Sequence, residues 1–183
     1  MLFRSGGGGT KEFAVRLSDE LKDGDVELNQ FRNRFLTIGQ AKVSTSAQEA
    51  FELGYLRAGI DEVIVSRAHQ LTYAKEVCVA LADKGYTQPS PRNDIRVMGN
   101  QAMGLVHVGA NSMLSGKYIS EHDEKISVKL GYVLAGGDLS VPTVVNEQYL
   151  LDLERKAFLE LCGERKTLER MQSILTGGKI LRN

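Results

Sequence analysis

The chain has 183 residues, long enough to bury a real core in one domain or two small ones. Lys and Arg number 23, Asp and Glu 23, and the formal net charge is zero, which argues against nucleic acid or an anionic membrane surface as partner. A hydrophobic content of 42% excludes a chain disordered by composition.

Two cysteines, Cys78 and Cys162, each lie in a helical pattern among apolar neighbours. They read as reduced core residues of a cytoplasmic protein, with no structural disulfide. His69, His107 and His122 are scattered and show no metal-ligand spacing, so no metal site is expected. Val97 to Leu114 is the most apolar stretch, but Asn100, Gln101, His107 and Asn111 interrupt it, so no membrane span is expected. No Gly-x-Ser-x-Gly elbow suggests a serine hydrolase.

Taken in order, the chain opens on Ser5-Gly6-Gly7-Gly8-Gly9-Thr10-Lys11-Glu12. A glycine run leading straight into a helix brings backbone close to a ligand and turns free N–H groups toward negative charge. The run is not a phosphate-cradling P-loop, because Lys11 follows Thr10 and Glu12 follows Lys11. A dinucleotide fingerprint fails too, since Lys11 stands at the third glycine position and no strand precedes. A flexible linker is the other reading of the same residues.

Thr10 is expected to cap a helix reaching about Leu21, with Phe13, Ala14 and Leu17 inward. The spacing of Leu28, Phe31, Phe35 and Ile38 predicts a second helix from about Val26 to Ala41, with Arg32, Arg34 and Gln40 on its solvated side. Ser46 and Glu49 form a capping box for a short helix that Gly54 ends. Asp61 to Val65 reads as a short extended piece. Ser66 caps a helix to about Lys84, with Leu71, Ala74, Cys78 and Leu81 as its buried stripe and Gly85 closing it.

Thr87 to Asn93 holds two of the three prolines and marks a boundary. Beyond it, helices are expected over about 100–115, rich in Ala102, Gly104, Gly109 and Ala110, and over 120–135, with Ile126, Leu130, Val133 and Leu134 inward. Gly136-Gly137-Asp138 breaks the pattern. The last two helices, 145–161 and 164–175, meet at Gly163 and are expected to form an antiparallel hairpin. In it Leu150, Leu153 and Ala157 face Leu168, Met171 and Leu175. Glu154, Arg155, Glu164, Arg165 and Arg170 stay in water.

Several of these residues resemble a known family. Gly6 to Glu12 is similar to the Pro-Gly-x-Gly-Gly-Thr loop of crotonase-fold enzymes, the enoyl-CoA hydratase/isomerase superfamily. Ser46-Ala47-Gln48-Glu49-Ala50 with Leu53-Gly54-Tyr55-Leu56 resembles that family's A-x-E-A-x-x-x-G-L segment. The remainder, including Glu147 to Arg155 and Glu164 to Arg170, resembles the C-terminal end of bacterial fused 3-hydroxyacyl-CoA dehydrogenase/enoyl-CoA hydratase proteins of fatty-acid β-oxidation.

The resemblance implies a mainly α fold: the helical C-terminal portion of a crotonase-like α/β fold over residues 1–86, a linker at 87–92, and a helical extension over 93–183 ending in the hairpin. It implies an oxyanion hole and two glutamates in a part upstream of this chain, so no catalytic residue here and no hydratase activity of the chain alone. Gly6 is the one position carried over to substrate binding, with Gly8, Gly9 and Thr10 supporting the loop. Acyl-CoA and NAD are expected for a full-length parent only, with no cofactor in this chain, and a homo-oligomer is expected. Without the upstream core, the faces bearing Phe13, Phe31 and Phe35 would lack a partner. A non-enzymatic helical interaction or oligomerisation module is the alternative from another class.

Overall fold

The computed structural model describes residues 7–22, 24–178 and 181–183. Among them the chain is mainly helical, with eight α-helices, one 3-10 turn and two short strands. It divides into two compact units: one from the stretch up to Lys42 together with the stretch from Arg92 onward, the other Val43–Pro91.

The larger unit contains α1 (Gly9–Glu20), α2 (Glu27–Gly39), β1 (Ile95–Val97), α5 (Asn100–Ser115), α6 (Glu121–Ala135), β2 (Thr143–Val145), α7 (Glu147–Cys162) and α8 (Arg165–Gly177). Apolar residues three and four apart put one stripe of each helix into a shared core. Phe13, Ala14, Val15 and Leu17 of α1 are buried, as are Phe31, Phe35 and Ile38 of α2. The Phe31 and Phe35 rings stack with centroids 6.2 Å apart. The helices bearing Phe13, Phe31 and Phe35 pack on α5, α6 and β1, which corrects the expectation that those faces lack a partner. Helix α5 lies along α6, and α7 crosses α1 and α6.

A two-stranded antiparallel sheet pairs Ile95 with Val145, Arg96 with Val144 and Val97 with Thr143. The sequence reading missed both strands. Each is three residues long, too short for an alternation to stand out. β2 also directly precedes Asn146, which caps α7 by accepting from the Tyr149 N–H at 2.8 Å. Ile95 and Val97 are buried while Arg96 reaches out to Glu27.

Ser120 closes a full capping box that the sequence reading did not single out: its hydroxyl accepts from the Asp123 N–H, and the Asp123 carboxylate accepts from the Ser120 N–H. At the other end of α6, Gly136 and Gly137 have φ of 84° and 83°, so the pattern break there is a left-handed C-terminus. Gly99 is under a tighter constraint. Its φ is 56°, its N–H donates to the Ala135 carbonyl at 2.8 Å, and an added Cβ would stand 2.2 Å from the Leu139 carbonyl oxygen.

The hairpin residues divide differently from the expectation. Leu150, Leu153 and Ala157 are buried, but α7 uses them against α1 and α6 as well as α8. Leu168 is 51% and Leu175 81% exposed, and Thr167 is the buried residue of α8. The reason is that α7 carries an apolar stripe wide enough for two neighbours, whereas the inner face of α8 is largely polar. Glu154 is buried, Arg170 and Glu164 are half-buried, and Arg155 and Arg165 do stay in water.

The smaller unit holds α3 (Ala47–Glu52), the 3-10 turn Arg67–His69 and α4 (Gln70–Asp83). Ser46 caps α3 by accepting from the Glu49 N–H at 3.1 Å, and Gly54 takes φ 75°. Glu49 reaches back to the N–H and hydroxyl of Thr45. No strand forms near Val63. Helix α4 forms over much of the expected span, but the expected Ser66 cap does not form, a 3-10 turn precedes the helix, and none of its residues is buried: Leu71 is 86% and Leu81 43% exposed, and Cys78 is exposed too. Cys162 is half-buried, and both thiols are free. Neither is a core cysteine. A helical period gives the direction of a face and not the presence of something to cover it.

Two glycines make a paired test of this packing. An added Cβ at Gly131 would lie 2.5 Å from the buried Val106 side chain, while at Gly104 it meets nothing within 4 Å. Gly131→Ala is expected to lower stability by roughly 1–3 kcal/mol through overpacking. Gly104→Ala should raise it by about 0.5–1 kcal/mol through helix propensity. Urea unfolding of both variants checks the opposite signs.

Candidate functional site

The glycine loop and the start of α1 are the place where the sequence points to anion binding. Gly6 lies outside the described residues. Gly8 is the N-cap of α1 with φ 93°, a left-handed conformation that favours glycine. Gly9 opens the helix, and Thr10 is buried in it at 5% exposure. No side chain caps α1, so the expected Thr10 cap does not form. The N-cap position falls two residues earlier, on Gly8, which has no side chain to cap with.

A carboxylate from α7 fills the capping role instead. Glu154 Oε1 accepts from the Gly8 N–H at 3.0 Å, and Oε2 accepts from the Lys11 N–H at 3.0 Å. Glu154 is only 5% exposed. The first turn of a helix carries unpaired N–H groups and the positive end of the dipole, so a buried carboxylate is well placed there. The anion at this glycine loop is therefore the chain's own. The N–H groups of Gly8 and Lys11 hold Glu154 and do not face a thioester oxygen or a pyrophosphate, so the described part of the loop does not fit acyl-CoA or NAD.

Glu154 was legible as an inward residue. It stands four after Leu150 and three before Ala157, on the same face as both. Its charge led to the solvent assignment, and its partner comes from 143 residues away.

Around this contact runs a chain of ion pairs. Lys11 Nζ lies 3.1 Å from Glu147 Oε1 and 3.3 Å from Glu12 Oε2. Glu147 also accepts the Arg92 N–H at 3.0 Å, and its own N–H donates to the Arg92 carbonyl at 2.9 Å. Arg92 continues to Asp94 and Asp19. The Arg92 N–H, with Lys11 beside it, holds the Glu147 carboxyl below its usual range. Burial pulls the Lys11 ammonium down, but bonds to Glu147 and Glu12 outweigh it and raise it above its usual value. This network joins α1, α7 and the segment entering β1.

A second group of polar residues lines a cleft of about 270 Å³ among α5, α6 and α7, with His107, Lys129, Tyr132, Asp138, Lys156 and Glu160. Lys129 pairs with Glu160, and the Tyr132 hydroxyl donates to Asp138 at 3.3 Å, so four of its six polar side chains pair with each other. Among the described residues, no group of three or more His, Cys, Asp or Glu is arranged to hold a metal ion. No described helix is long and apolar enough to cross a membrane.

The chain is 43% identical over 178 residues to a protein of Bacillus subtilis (strain 168) described as a probable 3-hydroxyacyl-CoA dehydrogenase. That alignment covers 97% of this chain and 22% of the relative, so the chain spans about a fifth of the relative's length. No protein-family model matches the chain, and no solved structure matches it. The likeness supports the dehydrogenase side of the resemblance; the relative's name says nothing of a hydratase.

Two outcomes test the α1 contact. Glu154→Gln sets an amide NH₂ against a backbone N–H donor, and stability is expected to fall by roughly 1–3 kcal/mol in urea unfolding. The Glu147 pair gives a pH signature. Its carboxyl titrates below the usual 4.5 in the folded protein. Its stabilisation is therefore present above that value and lost as pH falls through the lowered folded pKa. Glu147→Gln should flatten the acid limb of a stability-against-pH curve.

Proposed function

We propose that this chain is a non-catalytic helical part of a 3-hydroxyacyl-CoA dehydrogenase-type protein of lipid metabolism. The 43% identity over nearly the whole chain, to a relative more than four times as long, carries the reading. The occupied helix N-terminus supports the non-catalytic half of it. The N–H groups of Gly8 and Lys11 hold Glu154, so this helix start is engaged within the chain. In this reading the acyl-CoA and NAD chemistry belongs to parts of such a protein outside the matched region.

Finer points rest on the sequence reading. Residues 1–86 would be related to the trailing part of a crotonase-like hydratase domain, and 93–183 would be the helical extension. The helix capped by Ser46 and closed at Gly54 is the local structure that such a segment needs. The place of action would be the cytoplasm, and the assembly a homo-oligomer.

One observation favours the interaction-module alternative. The 14 residues of α4 form a helix with no buried side chain, and such a helix gains little stability unless something covers it.

Activity assays test the proposal directly. Purified chain is mixed with 3-hydroxybutyryl-CoA and NAD, and separately with crotonyl-CoA. NADH formation and loss of the enoyl absorbance are both expected to stay at the buffer rate. Turnover of either substrate would sink the non-catalytic reading. Deleting the matching segment from the Bacillus subtilis relative should impair its folding or assembly. A deletion variant with unchanged activity, stability and mass would count against a structural part.

A further inference from the structure

The N-terminus of α6 and the inner face of α8 surround the side chain of Asn183, and the polar groups there satisfy each of its hydrogen-bonding atoms. The Asn183 amide nitrogen donates to Glu169 Oε2 at 2.8 Å and to the Lys166 carbonyl at 3.2 Å. The amide oxygen accepts from Arg170 Nε at 2.8 Å. The main-chain oxygen of Asn183 accepts from the Ser120 hydroxyl at 2.9 Å and from Arg170 Nη2 at 3.2 Å. An asparagine amide has two N–H groups to give and one oxygen to receive. Both functions are met here.

The residues that make these contacts are themselves held. Arg170 Nη1 lies 2.6 Å from Asp123 Oδ1, with side chains only 16% and 25% exposed. Asp123 completes the Ser120 capping box. One turn before Arg170 on α8, the buried Thr167 hydroxyl meets His122 Nε2 at 3.0 Å. Arg165 braces Glu169 at 2.9 Å. The polar groups that read Asn183 are therefore oriented by contacts independent of it, which lowers the ordering cost of binding.

Helix α8 needs such an anchor. Thr167 is the residue it buries, while Leu168, Ile174 and Leu175 are exposed, so apolar burial does little to fasten it. We propose that the α6 N-terminus and α8 form a recognition site for an asparagine side chain, and that Asn183 occupies it within the same chain as a latch holding α8 on α6. The ligand class is a primary amide beside a main-chain oxygen. An aspartate in its place would lose both donors and set a carboxylate against Glu169.

The test uses the full 183-residue chain and its Asn183→Asp and Asn183→Gln variants. Trimming by a carboxypeptidase is followed by mass spectrometry, with synthetic peptides of each variant's last four residues as references for intrinsic cleavage. Asn183 is expected to be released from the native chain at least roughly tenfold more slowly than from its peptide, the scale of one charge-assisted hydrogen bond. Asn183→Asp should remove that protection, and Asn183→Gln most of it. The substitutions lie outside the apolar core, so an unchanged thermal transition of the rest of the chain is the control. Release at the peptide rate from the native chain would overturn the latch. Protection retained by Asn183→Asp would overturn the amide specificity. Protection that grows with protein concentration would place the residue in a second copy and overturn the intrachain arrangement.

Discussion

The carboxylate of Glu154 on the N-terminus of α1 is the contact on which the larger unit depends. A helix start buried against another helix cannot leave its N–H groups to water. Glu154 satisfies the Gly8 and Lys11 N–H groups, and it does so from α7, far along the chain. The glycine at position 8 gains a physical reason from this. Gly8 sits left-handed, and its position stands in ordinary contact distance of Leu151. A buried charge is costly unless it is fully paired. The fit of this carboxylate to two N–H groups and a helix dipole therefore ties the first helix to the seventh in one register.

From that contact the rest of the unit follows. With α1 set on α7, Lys11 comes beside Glu147, and Glu147 closes a two-way backbone and side-chain link with Arg92. That link brings in the segment after Pro91 and lets β1 pair with β2. Helices α5 and α6 then cover the apolar faces of α1 and α2. Among the described residues no buried side-chain nitrogen or oxygen lacks a hydrogen-bond partner, in keeping with a unit whose polar contacts are matched throughout.

The same constraint bears on function. A glycine-rich loop entering a helix is a general device for binding negative charge, and the identity of the anion is what distinguishes one use from another. In this chain the described part of the device works internally. That separates the fold from any chemistry expected of the larger relative, whose length the chain spans only to about a fifth. The smaller unit has the opposite character. It has well-formed local structure in α3 and α4 but buries little beyond Ala50, so its helices are set by capping and propensity more than by packing.

Local chemistry was legible in the sequence. The helical class, the faces of α1, α2 and α6, the Ser46 cap, and the breaks at Gly54, Gly85 and Gly136 all rest on interactions within four or five residues, which a linear pattern records. The dehydrogenase side of the resemblance was legible for the same reason, since residue order carries it. Tertiary structure alone decided which faces are covered. Leu71 and Leu81 have a helical period but stay exposed, Glu154 is charged but buried against the start of α1, and Leu168 and Leu175 stay exposed although they were expected to face inward. The short β1–β2 pair and the seat of Asn183 belong with these. Each joins residues dozens of positions apart or lying on different helices, and whether such groups meet depends on the free energy of the whole packing.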